Sequence, residues 1–155
     1  MASGQLTPVS IANTTTQGSQ TPAGVAATGK GSFVIAWVGN GAGDANGIFL
    51  QRFAGAPQIG SFGESASTVT AGTALTLTAS NFTDPNAGAT IAQVAFYATD
   101  AAGNQYLLGY GTNNGGVWAL TFTVNLAPGR YTLSAEATDS AGVLGDLASL
   151  TLTVQ

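Results

Sequence analysis

The feature that most constrains this chain is a period of two. Trp118, Leu120, Phe122 and Val124 alternate with Ala119, Thr121 and Thr123, and Leu75, Leu77 and Ala79 alternate with Thr76, Thr78 and Ser80. Successive side chains of an extended strand point to opposite faces, so each run puts an apolar row on one side and hydroxyls on the other. The rhythm returns with Tyr131, Leu133, Ala135 and Ala137 against Thr132, Ser134 and Glu136, and with Leu150, Leu152 and Val154 against Thr151 and Thr153. No window carries the 3.6-residue period of an amphipathic helix, so the chain reads as all-β. Only 6% of the residues are charged and 22 are glycine, which leaves Thr, Ser, Asn and Gln to wet the strand faces and Gly to make the turns.

Further strands at residues 59–69, 91–99 and 106–110 bring the count to about seven in roughly a hundred residues, the number expected of an immunoglobulin-like β-sandwich. Trp118 is expected between its two sheets, beside Leu77, Leu133 and Leu152. The Pro128-Gly129 turn with Tyr131 at the start of the next strand predicts a tyrosine corner, the phenol bonded back to nearby backbone. Residues 1–55 read differently, as short strands at 9–12, 24–27, 32–38 and 48–53 between Gly, Asn and Thr turns. Phe33 to Val38 is apolar on both alternating faces, the pattern of a strand covered on both sides. Gly55 and Pro57 punctuate a boundary, which gives a β unit over 1–55 and a sandwich over 56–155.

The composition excludes whole classes of chemistry. Without histidine or cysteine there is no imidazole base, thiol nucleophile, zinc site or disulfide. Three basic residues, Lys30, Arg52 and Arg130, against a net charge of -4 cannot neutralise a run of phosphates, so nucleic acid is not an expected partner. No apolar stretch has the length of a membrane span. The opening Met-Ala-Ser-Gly lacks the basic and apolar regions of a signal peptide, so export is expected to rely on a removed signal or on one elsewhere in a longer parent. The seven carboxylates, Asp44, Glu64, Asp84, Asp100, Glu136, Asp139 and Asp146, sit on a short-looped sandwich with little cleft to position a sugar between two acids. The chain is therefore expected not to be an enzyme.

Trp118, the run from Pro128 to Leu133 and the stretch Ala135-Glu136-Ala137-Thr138-Asp139-Ser140-Ala141-Gly142 resemble the bacterial immunoglobulin-like modules repeated along large secreted surface proteins and adhesins, over residues 57–155. Asn13-Thr14-Thr15-Thr16, then Phe33-Val34-Ile35-Ala36-Trp37, then Gln51-Arg52-Phe53 are similar to a repeat of about fifty residues in secreted bacterial proteins, whose units read as propeller-like blades. The resemblance implies an extracellular or cell-surface structural module, with Trp37, Trp118 and Tyr131 in structural roles. Where that repeat often carries an acidic turn, this chain has Thr28-Gly29-Lys30-Gly31, leaving only Asp44 and Asn46 as candidate oxygen ligands in the first part, with a polar hairpin turn the favoured reading of them.

Two ligand classes remain open. In an immunoglobulin topology the loop with Asp84 and the loop with Asp139 and Asp146 share one pole with the entering linker, so these carboxylates are the candidate ligands of one calcium ion that stiffens the hinge. The same aspartates also fit turns in which the side chain bonds local backbone. Tyr97, Tyr106 and Tyr110 on neighbouring strands are the candidate glycan platform, or cross-strand packing. Lys30, between two glycines, reads as a hairpin tip rather than a cross-linking lysine. A fifty-residue unit without disulfides buries too little to stand comfortably alone. Its strands are expected to be completed by the sandwich or by another copy, as a homo-oligomer or filament, or by neighbouring modules of a longer parent.

Overall fold

In the first unit the segments 33–38 and 48–53 carry the β-branched and aromatic residues that suit a pleated surface. The computed structural model describes residues 18–27, 32–41 and 43–155; the expected strand at 9–12, the Asn13-Thr14-Thr15-Thr16 segment, and Lys30 with its flanking glycines lie outside them. The chain divides into two units, Met1–Ala54 and Gly55–Gln155. In the first, β1 (Gln20–Ala27), β2 (Phe33–Gly41) and β3 (Asp44–Phe53) form an antiparallel sheet in the order β1-β2-β3. The register pairs Phe33 with Phe53 and Trp37 with Phe49. Both pairs stack, at ring-centroid distances of 4.5 and 6.1 Å.

The second unit is a β-sandwich. Its first strands are β4 (Ser61–Glu64), β5 (Thr68–Val69), β6 (Ala74–Ser80), β7 (Ile91–Thr99) and β8 (Gln105–Tyr110). They are followed by β9 (Thr112–Asn114), β10 (Val117–Thr123), β11 (Gly129–Asp139) and β12 (Ala148–Val154). One sheet runs β4-β6-β10-β9 and the other β5-β12-β11-β7-β8. The inward rows of both sheets meet in one core: Leu75, Leu77, Ala79 and Trp118 from the first, Val94, Phe96, Leu133, Ala135, Leu152 and Val154 from the second. Phe62 of β4 tilts against Phe96 of β7 at 6.0 Å between ring centroids, tying the sheets together. Among the described residues there is no helix, and so none long and apolar enough to cross a membrane.

The strand count departs from seven for two physical reasons. Residues 59–69 do not make one strand: β4 pairs antiparallel with β6, whereas β5 pairs parallel with β12, so the chain changes sheets between them. The extra strand, β9, pairs with β10 across the Gly115-Gly116 turn; its Thr-Asn-Asn sequence offers no apolar alternation to read.

Tyr131 closes the corner expected of it. Its hydroxyl donates to the Ala127 carbonyl at 2.9 Å, which pins the turn at residues 127–130 to the start of β11. Trp118 is nearly buried and belongs to the same core as Leu77, Leu133 and Leu152.

Candidate functional site

Three segments converge at one pole of the sandwich: residues 55–58, the loop 81–90 between β6 and β7, and the turn 139–147 after β11. Antiparallel bonds in both directions between Gln58 and Thr83 hold the first to the second. Gly145 N donates to the Ala137 carbonyl at 2.8 Å, and a Cβ at Gly145 would overlap the Pro57 carbonyl oxygen, so only glycine permits that approach.

Asn86 links all three. Its side chain pairs with the backbone of Gly55 in both directions, Gly55 N donating to Oδ1 at 3.2 Å and Nδ2 donating to the Gly55 carbonyl at 2.8 Å. The same Nδ2 donates to Asp139 Oδ2 at 3.0 Å, and Asn86 N donates to Asp84 Oδ1 at 2.8 Å. The primary amide thus presents its two N–H groups to one carbonyl and one carboxylate.

Asp139 is 1% exposed. Its Oδ1 accepts from Ala141 N and Val143 N, both at 2.8 Å, the geometry of an Asx turn closed around Gly142 with its φ of 82°. These donors, Val143 N–H foremost and Asn86 next among those that lower it, hold the Asp139 carboxyl below the usual carboxylate range although burial opposes them. The calcium triad expected from the sequence is not assembled: among the described residues no group of three acidic side chains is placed to hold a metal ion. Asp84 and Asp139 do reach the same pole, with Asn86 between them, while Asp146 is exposed. Asp44 likewise closes a turn, its Oδ1 accepting from Asn46 N at 3.0 Å. Asn86 is the residue that sequence reading missed; the signal available was the Asp84-Pro85-Asn86 turn, where an amide stands among candidate acids.

Beside this pole lies a groove of about 680 Å³ lined by Phe82, Asp84, Ile91, Asn113, Val117 and Trp118. Asp84 Oδ2 is buried with no hydrogen-bond partner.

The three tyrosines separate. Tyr97 pairs with Leu107 and Ala95 with Tyr110, so Tyr97 and Tyr110 share the outer face of the five-stranded sheet with Glu136, which pairs with Ala95. Burial, then the neighbouring Glu136 carboxylate, raises Tyr97 above the usual phenol range. Tyr106 pairs with the buried Ala98 and so takes the core-side face at the sheet edge; its hydroxyl donates to Asp100 Oδ2 at 3.0 Å. Of the three tyrosines, Tyr97 and Tyr110 thus share a face and Tyr106 does not. Asp100, at the other pole, also accepts from Ala102 N and from both nitrogens of Asn104, and the Asn104 side chain above all keeps its carboxyl low.

No family model matches the chain, and no curated protein matches it. The chain is similar to a solved structure of the CbhA fibronectin(III)-like modules of Clostridium thermocellum, at 18% identity and a TM-score of 0.42, covering 61% of this chain and 97% of that one. The sandwich assignment rests on the two sheets, their shared core and the Tyr131 corner.

Proposed function

We propose that this chain is a noncatalytic, extracellular structural module of a bacterial surface or matrix assembly, in which a blade-like β unit carried by an immunoglobulin-like sandwich joins one copy to the next. The observation that carries this reading is the contrast between the two units. The sandwich buries its apolar rows against one another, whereas the three-stranded sheet leaves Val25, Val38, Ile48 and Leu50 exposed, Ile48 to 76%. Apolar side chains at this density on so small a sheet mark an interaction surface. Asp44 and Arg52 are the only charged side chains among the described residues of the first unit, so little repels a second copy. At the pole, the oxygens of Asp139 are committed to turn and clamp hydrogen bonds, a structural rather than chemical use.

Light scattering of the full chain over a concentration series tests the reading. Mass is expected to rise with concentration, and a monomer throughout a range reaching the millimolar would overturn self-association.

A further inference from the structure

We propose that Asn114, at the tip of the β9–β10 hairpin, is a site of spontaneous covalent modification, converted without an enzyme to aspartate and isoaspartate. The chain has three Asn-Gly pairs, at residues 40–41, 46–47 and 114–115. A following glycine leaves the peptide nitrogen unshielded by a side chain, so that nitrogen can reach the asparagine's own side-chain carbonyl. Gly115 N bonds to Asn114 Cγ, the Cγ–Nδ2 bond breaks, and the N–H proton passes through water to the departing ammonia. Water then opens the cyclic imide. Opening at the side-chain carbonyl gives aspartate; opening at the main-chain carbonyl leaves the chain running through the side chain as isoaspartate. One water is consumed and one ammonia released, with nothing oxidised or reduced.

The fold ranks the three pairs. In an extended residue the side-chain carbonyl and the next peptide nitrogen point apart, so ring closure requires departure from strand geometry. Gly47 pairs with Gly39 inside the β2–β3 ladder, and a Cβ placed on it would lie 2.9 Å from both Asp44 Oδ2 and Phe49 Cζ. Asn46 N donates to Asp44 Oδ1 at 3.0 Å, which holds that segment further. Asn40 is half-buried within β2, the central strand of its sheet, where its carbonyl accepts from Gln20 Nε2 at 2.9 Å.

Asn114 differs on each count. It ends β9, a strand of three exposed residues at the sheet edge, held by β10 alone. Gly115 and Gly116 have φ of 60° and 90°, the two left-handed positions of a type I′ hairpin, and a Cβ on Gly115 would meet nothing within 4 Å. Gly116 N donates to Asn113 Oδ1 at 3.0 Å and the ladder resumes with Asn114 opposite Val117, so Gly115 N stands outside both. Short edge strands open at little cost, which frees the Asn114 side chain to turn onto that nitrogen.

Conversion makes the chain one unit more negative than its present -4. The new carboxylate stands on the hairpin whose Asn113, Gly115, Gly116 and Val117 line the groove together with Asp84. Isoaspartate also inserts an extra backbone carbon into a two-residue turn that has no slack to absorb it. The module thus carries an irreversible charge change beside its groove, whatever covers the first unit.

The test holds the full-length chain folded in mildly alkaline buffer and follows it by isoelectric focusing and peptide mass mapping. An acidic species is expected, with the amide-to-acid mass gain on the peptide containing Asn114 and both aspartate and isoaspartate among the products. Conversion there should run at least about tenfold faster than at Asn40 or Asn46, whereas in urea the three sites should react at similar rates. Asn114→Gln keeps an amide but would have to close a larger, disfavoured ring, so the first acidic species should disappear. Equal rates at Asn114 and Asn46 in the folded chain would overturn the proposal, as would an Asn114 that stays intact over the time its unfolded counterpart converts. The same ranking in urea would place the cause in the sequence rather than the fold and sink it too, as would persistence of the first acidic species in Asn114→Gln.

Discussion

The Asn86 side-chain amide donates to the Asp139 carboxylate at 3.0 Å across 53 residues of sequence. With its two bonds to Gly55 it joins the first residue of the second unit to the turns on either side of the five-stranded sheet's pole. Hydrogen bonds to charged groups contribute more than neutral ones, and loss of the amide leaves Asp139 Oδ2 without this donor. Asn86→Ala is expected to lower stability by about 2 kcal/mol in urea unfolding. A loss under about 0.5 kcal/mol would show that water replaces the amide fully.

The amide's position also predicts a metal response. Because Asn86 Nδ2 fills the space between the Gly55 carbonyl and Asp139 Oδ2, saturating calcium is expected to leave the wild-type melting temperature unchanged. In Asn86→Asp a third carboxylate joins Asp84 and Asp139, and the donor is gone. That variant should melt lower than wild type without calcium and recover with it, by ligand linkage. Recovery absent in the variant, or a calcium-dependent rise in the wild type, would refute this account of the pole.

Tyr131 tests the corner. Tyr131→Phe keeps the ring in the core and removes only the bond to the Ala127 carbonyl, so the expected cost is about 1 kcal/mol. Equal stability of the two proteins would mean that the bond is exchanged for water without loss.

What the sequence made legible follows the physics of each signal. Alternation is a local property, so the strand over residues 91–99 and the inward rows through Leu77, Trp118, Leu133 and Leu152 could be read directly. The Tyr131 corner could be read because turn, ring and bond partner lie within a few residues. The shared pole of Asp84 and Asp139 followed from topology. What filled the space between them did not, since a carboxylate that binds a cation and one that accepts N–H donors have the same sequence. The change of sheet between β4 and β5 was equally hidden: nothing local distinguishes an antiparallel partner from a parallel one. Tyr106 fell to the core side because the register of β8 shifts beside Tyr97, and one residue of slip moves a side chain to the opposite face.

Trp118 carries the largest expected effect. Its ring is nearly buried in the core and lines the groove beside the loop 81–90, so Trp118→Ala should cost roughly 3 to 5 kcal/mol in urea unfolding. A value below about 1 kcal/mol would show that the pole collapses to refill the cavity.

Stability should fall at both ends of the pH scale, for opposite reasons. Asp139, held low by Val143 N–H and its other donors, and Asp100, held low chiefly by Asn104, favour the ionised form in the folded state. Their contribution is complete above the unfolded carboxylate value near ~3.9 and is lost as pH drops through their lower folded values, so the acid limb of the melting curve begins below about pH 4. Tyr97, raised by burial and Glu136, and Tyr106, raised by its bond to Asp100, favour the protonated phenol when folded. The unfolded chain therefore ionises first, and stability declines as pH rises above about 10. Thermal melts from pH 2 to 11 should show both limbs, with Asp139→Ala flattening the acid one and Tyr97→Phe the alkaline one. An acid limb of unchanged slope in Asp139→Ala would show that the carboxylate is no better stabilised in the fold than in the unfolded chain.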